Sequence, residues 1–156
     1  MDALYEKSSI KVEKLLNATL NRYISFNDFS SNAPKEMYYQ GFLNSVFSQL
    51  CEGSSIYHDY KSNLELGKGR ADCAFYITPE DIEKDYKGIV IEIKAATSDN
   101  NKKDFAQKAL SQIEDKEYAK SYLLSDDSLV SVNYYGIAFF GKKCSVVAKT
   151  ITRDDD

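Results

Sequence analysis

Residues 88–94 read Gly-Ile-Val-Ile-Glu-Ile-Lys, an apolar, β-branched run that closes on a charged pair. A run of this kind predicts a strand buried on both faces, at the centre of a sheet. Strand side chains alternate between faces. Glu92 and Lys94 therefore project to one side, and Ile91 and Ile93 to the other. A charged pair in such a place is costly unless it is matched or binds a metal. Just upstream, residues 67–72 read Gly-Lys-Gly-Arg-Ala-Asp, with the aspartate just inside the preceding strand. If the two strands pair as neighbours, Asp72 joins Glu92 and Lys94 at one spot. Two carboxylates suit a hard cation such as Mg²⁺ or Mn²⁺, which takes oxygen ligands. A lysine beside them can hold the attacking water and offset charge on a scissile phosphate. These groups together suit metal-dependent phosphodiester hydrolysis. The alternative is a strand end that emerges into solvent with an ordinary surface ion pair.

An acidic residue two before a lysine is a weak signal alone, because it also occurs at Asp59/Lys61, Asp85/Lys87 and Glu114/Lys116. Context separates these sites. Glu114/Lys116 falls in a helical pattern, where positions two apart do not share a face. Asp85/Lys87 lies in a polar loop after Pro79, and no strand-borne carboxylate precedes Asp59/Lys61.

Along the chain, Ile10, Leu15, Leu16, Leu20 and Ile24 recur at helical spacing and predict a first helix over 8–23. Asn32 and Pro34 suit the start of a second, running to about Leu50, with Tyr39, Leu43, Val46, Phe47 and Leu50 on its apolar side. Glu36 lies in its first turn, where complementing the helix dipole is the plain reading. Strands are predicted over 56–65 and 70–77, joined by the turn Gly67-Lys68-Gly69, with a third over 89–94. A helix over 102–119 turns Phe105, Ala109, Leu110 and Ile113 inward, with Gln112 as a boundary residue on nearly the same face. Strands 132–140 and 144–151 form a last hairpin about Gly141-Lys142-Lys143. The order αα-βββ-α-ββ makes an α/β (α+β mixed) fold, a mixed sheet of about five strands flanked by helices.

At 156 residues, 13% of them aromatic, the chain fits a single globular domain. It divides into an N-terminal helix and connector (1–33), a core (34–150) and an acidic tail (151–156). No apolar run approaches the roughly 18 residues needed to span a bilayer, and the first residues lack a signal-peptide apolar segment. Three cysteines, Cys51, Cys73 and Cys144, form neither a zinc spacing nor an even disulfide set. Buried, reduced thiols and a cytosol-like compartment are the expectation. The one histidine, His58, is expected in a surface or hydrogen-bonded role. A net charge of −4 argues against a general nucleic-acid coat but leaves room for a local basic patch.

Taken in order, Gly-x-Gly-Arg-x-Asp (67–72), Ile-Glu-Ile-Lys (91–94), Ala-Leu-x-Gln-Ile (109–113) with Lys116 and Tyr118-Ala119, and Tyr-Gly-Ile-Ala-Phe (135–139) resemble the PD-(D/E)XK nuclease superfamily. The resemblance covers roughly 34–150 and is closest to a bacterial branch often found behind an AAA-type ATPase-like domain. Ala71 stands where many members carry proline; this branch usually has Gly-Arg-x-Asp instead. The resemblance implies a restriction-endonuclease-like core and a Mg²⁺- or Mn²⁺-dependent nuclease acting on nucleic acid, with DNA expected. It makes Asp72, Glu92 and the Ile93 carbonyl metal ligands and Lys94 the residue that positions water and stabilises the transition state. Glu36 becomes a candidate outer ligand, and Gln112 a polar residue that faces the site. Lys68, Arg70, Lys102, Lys103, Lys108 and Tyr118 are the candidate substrate contacts. The second reading is a catalytically weak nuclease-fold module that binds nucleic acid or a protein. An ATPase-like or effector partner and a bacterial cytosolic setting, or a host cell for a delivered effector, complete the expectations.

Overall fold

The structure, a computed structural model, describes residues 2–25, 35–79 and 85–153. Asn32, Pro34, most of the acidic loop after Pro79 and the last three aspartates lie outside them. Among the described residues the chain runs α1 (Asp2–Tyr5), α2 (Ser9–Tyr23), α3 (Lys35–Glu52), β1 (Tyr57–Leu66), β2 (Gly69–Ile77) and β3 (Tyr86–Ala95). A 3₁₀ turn (Asp99–Asn101), α4 (Lys102–Asp115), α5 (Tyr118–Leu124), β4 (Leu129–Phe140) and β5 (Lys143–Thr152) follow.

The five strands form one sheet in sequence order. All neighbours are antiparallel except β3 and β4, which are parallel. A parallel pair cannot be joined by a tight turn. The chain therefore crosses over through α4 and α5, which pack on one face of the sheet. There Leu110, Ile113, Tyr118, Tyr122 and Leu123 bury against Ala74, Val90, Val132 and Tyr134. The other face is covered by α2 and α3, whose Val12, Leu16, Leu20, Tyr39, Leu43 and Phe47 meet Ile89, Ile91, Ile93, Tyr135, Ile137 and Phe139. This is the mixed, helix-flanked sheet that the sequence predicts. No described helix is long and apolar enough to cross a membrane.

The first helix forms where expected, with Ser8 capping the Lys11 N–H. Its buried stripe is Val12, Leu16 and Leu20, at i, i+4 and i+8, whereas Ile10 is 81% and Leu15 57% exposed.

The expected helix over 102–119 is two helices, broken where Glu117 takes a left-handed φ of 58°. Neither Lys116 nor Glu117 is a helix breaker, so tertiary contact overrides local propensity. The elbow grips the β1–β2 turn. Lys68 N–H donates to the Lys116 carbonyl at 3.0 Å, the Lys68 ammonium meets Glu117 at 3.0 Å, and Arg70 N–H donates to the Tyr118 hydroxyl at 3.0 Å. Gly67, at φ 51°, lies so close that a Cβ would sit 2.2 Å from the Lys116 carbonyl oxygen.

Candidate active site

The site forms where β2 and β3 part. Their ladder runs from Ile77↔Lys87 to Cys73↔Ile91. Beyond it the Asp72 side chain supplies the bond that β2 backbone no longer makes, Oδ2 accepting the Ile93 N–H at 2.8 Å. The N–H and C=O of one strand residue leave from the same edge. The Ile93 carbonyl therefore faces the side on which Asp72 sits.

Glu92 lies one alternation beyond Val90, on the α4 face of β3, and is 3% exposed. Its register partner on β4 is Gly136. A Cβ at Gly136 would sit 2.1 Å from the Ala106 carbonyl oxygen and 2.5 Å from the Leu110 nitrogen, so glycine lets α4 press on the sheet at this level. That approach brings Gln112, on the next turn of α4, to donate its amide to Glu92 Oε1. Lys94 donates to the same oxygen at 3.4 Å. The other oxygen, Oε2, is buried and has no hydrogen-bond partner among the described residues.

Lys94 reaches the rim, its side chain 24% exposed, and its ammonium also lies 3.7 Å from Glu36 Oε1. Glu36 Oε2 accepts the Ala95 N–H at 3.3 Å. Glu36 thus ties α3 to the end of β3.

Burial, with the Asp72 carboxylate second, pushes the Glu92 carboxyl up to about 8; Lys94 only partly opposes this. Asp72 is also raised, chiefly by burial, against the pull of the Ile93 N–H and Lys94. Two adjoining acids that both resist ionisation, one with an orphaned buried oxygen, form a pocket of unmet negative potential. A divalent cation satisfies both conditions at once. The donors, two carboxylates and a strand carbonyl, are hard oxygens. Among the described residues no three His, Cys, Asp or Glu side chains converge to hold a metal. A hard cation such as Mg²⁺ held by so few protein donors would keep several waters.

Gln40 was not foreseen. It sits one turn after Glu36 on α3, and its Nε2 lies 3.4 Å from Asp72 Oδ1 and 3.0 Å from Asn63 Oδ1. The spacing Glu36-x-x-x-Gln40 was the available signal, since residues four apart share a helix face.

The expected substrate contacts sit differently. Tyr118 is 2% exposed and props the hairpin turn from below, so its ring has no face to offer a base. Lys102 is buried, its ammonium held by the Asp99 carbonyl and carboxylate. Arg70 pairs with Glu65 at 2.9 Å and Lys68 with Glu117. Lys103 and Lys108 are exposed on α4, Lys108 over the Phe105 ring. His58 is hydrogen-bonded, to Asp59 and Thr78, and Cys73 and Cys144 are buried free thiols.

No curated protein and no solved structure shows significant similarity to the chain. The sequence profile of the PD-(D/E)XK nuclease superfamily matches residues 34–149, a span that holds every side chain of this cluster from Glu36 to Gln112. With the match extending from α3 to β5, over most of its length, the chain belongs to the PD-(D/E)XK nuclease superfamily.

Proposed function

We propose that the protein is a nuclease that hydrolyses phosphodiester bonds, with DNA as substrate and Mg²⁺ or Mn²⁺ as cofactor. The observation that carries this reading is the adjoining Asp72 and Glu92 carboxyls, Glu92 buried with its Oε2 unpartnered, faced by the Lys94 ammonium. Asp72, Glu92 and the Ile93 carbonyl would hold the ion, which supplies Lewis-acid polarisation of the scissile phosphate. Lys94 is the one cation of the cluster that reaches the rim. Its ammonium orients the attacking water and offsets charge that builds on the phosphate. Glu36 holds Lys94 from the α3 side. Gln112 occupies Oε1 of Glu92 and so leaves Oε2 as the oxygen that would hold a cation. Lys103 and Lys108 are proposed to meet flanking phosphates. Lys68 and Arg70 can do so only by exchanging their present acidic partners.

Incubating the protein with plasmid and single-stranded DNA in Mg²⁺, Mn²⁺ or EDTA tests the proposal. Cleavage that needs the ion is expected; cleavage indifferent to EDTA would contradict it.

The second reading is a binding module of the same fold with little hydrolysis, working beside an ATPase-like or effector partner. It is favoured by the net charge of −4 and by the acidic partners of Lys68, Arg70 and Lys102. DNA binding without cleavage in any metal would select it.

A further inference from the structure

We infer that Gln40, anchored by Asn63, is a positioning residue that fixes the orientation of Asp72 and thereby sets the affinity of the site for its divalent cation. This rests on the reading of the site given above.

A carboxylate held by one hydrogen bond still pivots about its last side-chain torsion, which is broad for aspartate. Asp72 Oδ2 is held by β3, through the Ile93 N–H. Its Oδ1 is met from the other side by the Gln40 amide, carried on α3. An amide nitrogen has two hydrogens, and here one serves Asp72 while the other serves Asn63. The donor is neutral. It fixes the carboxylate without cancelling the charge that a cation needs, which a lysine in its place would do.

Asn63 gives independent support. It lies on β1 opposite Asp72, between the register pairs Ser62↔Cys73 and Leu64↔Ala71. Its backbone is left-handed, with φ 50°, in the middle of a strand. A regular strand does not use that conformation, which is mildly strained even for asparagine, one of the residues with a Cβ that tolerate it best; Asp59 of the same strand shares it, at φ 56°. Here it accompanies an Asn63 Oδ1 set to accept from Gln40, on the opposite side of the amide from Asp72.

The test is calorimetric titration of Mn²⁺ into the wild type, Gln40→Met, Asn63→Gly and Asp72→Asn, alongside thermal melts of each metal-free protein. Gln40→Met keeps the side-chain length and loses both donors. Its Mn²⁺ affinity is expected to fall about 10-fold, the lower end of the range for an outer partner of a metal ligand. Asn63→Gly removes the anchor but also the left-handed strain. It is therefore expected to melt at a higher temperature while binding Mn²⁺ more weakly, a pairing that a merely structural role does not produce. Wild-type affinity in both variants, with binding lost in Asp72→Asn, would overturn the inference and leave the site intact. Weaker binding by Asn63→Gly together with a lower melting temperature would also overturn it. Failure of the wild type to bind Mn²⁺ would overturn both the inference and the reading on which it rests.

Discussion

Among the polar side chains buried in the central parallel strands, Asn133 and Glu92 are treated in opposite ways. Asn133 of β4 is 1% exposed, yet both its amide hydrogens and its oxygen are hydrogen-bonded. Its nitrogen donates to the carbonyls of Leu4 and Tyr5 at 2.9 and 3.0 Å, and its oxygen accepts from the Thr150 hydroxyl at 2.6 Å. With Tyr135, whose hydroxyl donates to the Leu4 carbonyl at 2.9 Å, it fastens α1 to the sheet. Glu92 of β3 is buried to a similar degree, but one of its oxygens meets nothing and its proton is held up to about 8. Burial of a polar group is therefore no mark of function by itself. Completed hydrogen bonding marks a structural tie, and incompleteness beside a second acid is what supports the proposed cation site.

The sharpest way to break this contrast is to remove the acidic cluster. Asp72→Ala, Glu92→Gln and Lys94→Ala are each expected to abolish metal-dependent cleavage while circular dichroism shows the fold retained. Glu92→Gln removes the buried acid and leaves the metal-free protein at least as stable as wild type, whereas Asp72→Ala also takes the acceptor from the Ile93 N–H, at a cost of about 1–3 kcal/mol. Loss of fold along with activity would reclassify the cluster as a structural ion-pair network, like the tie at Asn133.

Next in size come Glu36→Gln and Gln112→Ala, which touch Lys94 and Glu92 rather than the reacting groups. Each is expected to lower the cleavage rate or metal affinity by roughly 10–100-fold without eliminating it. Single-turnover rates measured across a Mn²⁺ series would show this.

Asn133→Ala should do the reverse. The amide's bonds to the Leu4 and Tyr5 carbonyls and to the Thr150 hydroxyl are lost, at a cost of about 1–3 kcal/mol. The variant should unfold at lower denaturant, with Mn²⁺ affinity of the folded protein unchanged.

Stability is also expected to depend on pH. Between the ordinary carboxylate range and about 8, folded Glu92 keeps a proton that the unfolded chain has released. Stability of the metal-free protein therefore falls as pH rises through that window and levels off above it. Glu92→Gln should flatten the fall. Because a cation needs the ionised form, Mn²⁺ affinity should rise with pH to about 8 and then plateau. A wild-type profile as flat as that of the variant would remove Glu92 from the account.

Much of this was legible in the sequence because strands keep a strict period of two. Glu92, Lys94 and Ile93 fall on the faces that alternation assigns, and the hairpin turn carries Asp72 to the parted end of β2. What escaped has tertiary causes. The helix after β3 breaks because the hairpin turn presses on Lys116, and no residue in the break announces it. α1 is only four residues long, too short for a periodic signal, and is held by Asn133 and Tyr135 from the far end of the chain. Helical spacing places Ile10 and Leu15 on the apolar stripe of α2, but the sheet receives Val12 instead. Gln40 looked like an ordinary polar position on a helix. Only the placement of Asn63 and Asp72 on adjacent strands gives its amide two acceptors.

Anomalous diffraction from crystals soaked in Mn²⁺ above pH 8 addresses the central claim most directly, since it locates the ion without relying on catalysis. The account predicts a strong peak in contact with Asp72, Glu92 Oε2 and the Ile93 carbonyl, absent from Glu92→Gln crystals. Crystals with no peak there, and with Glu92 Oε2 paired to a protein donor, would contradict it.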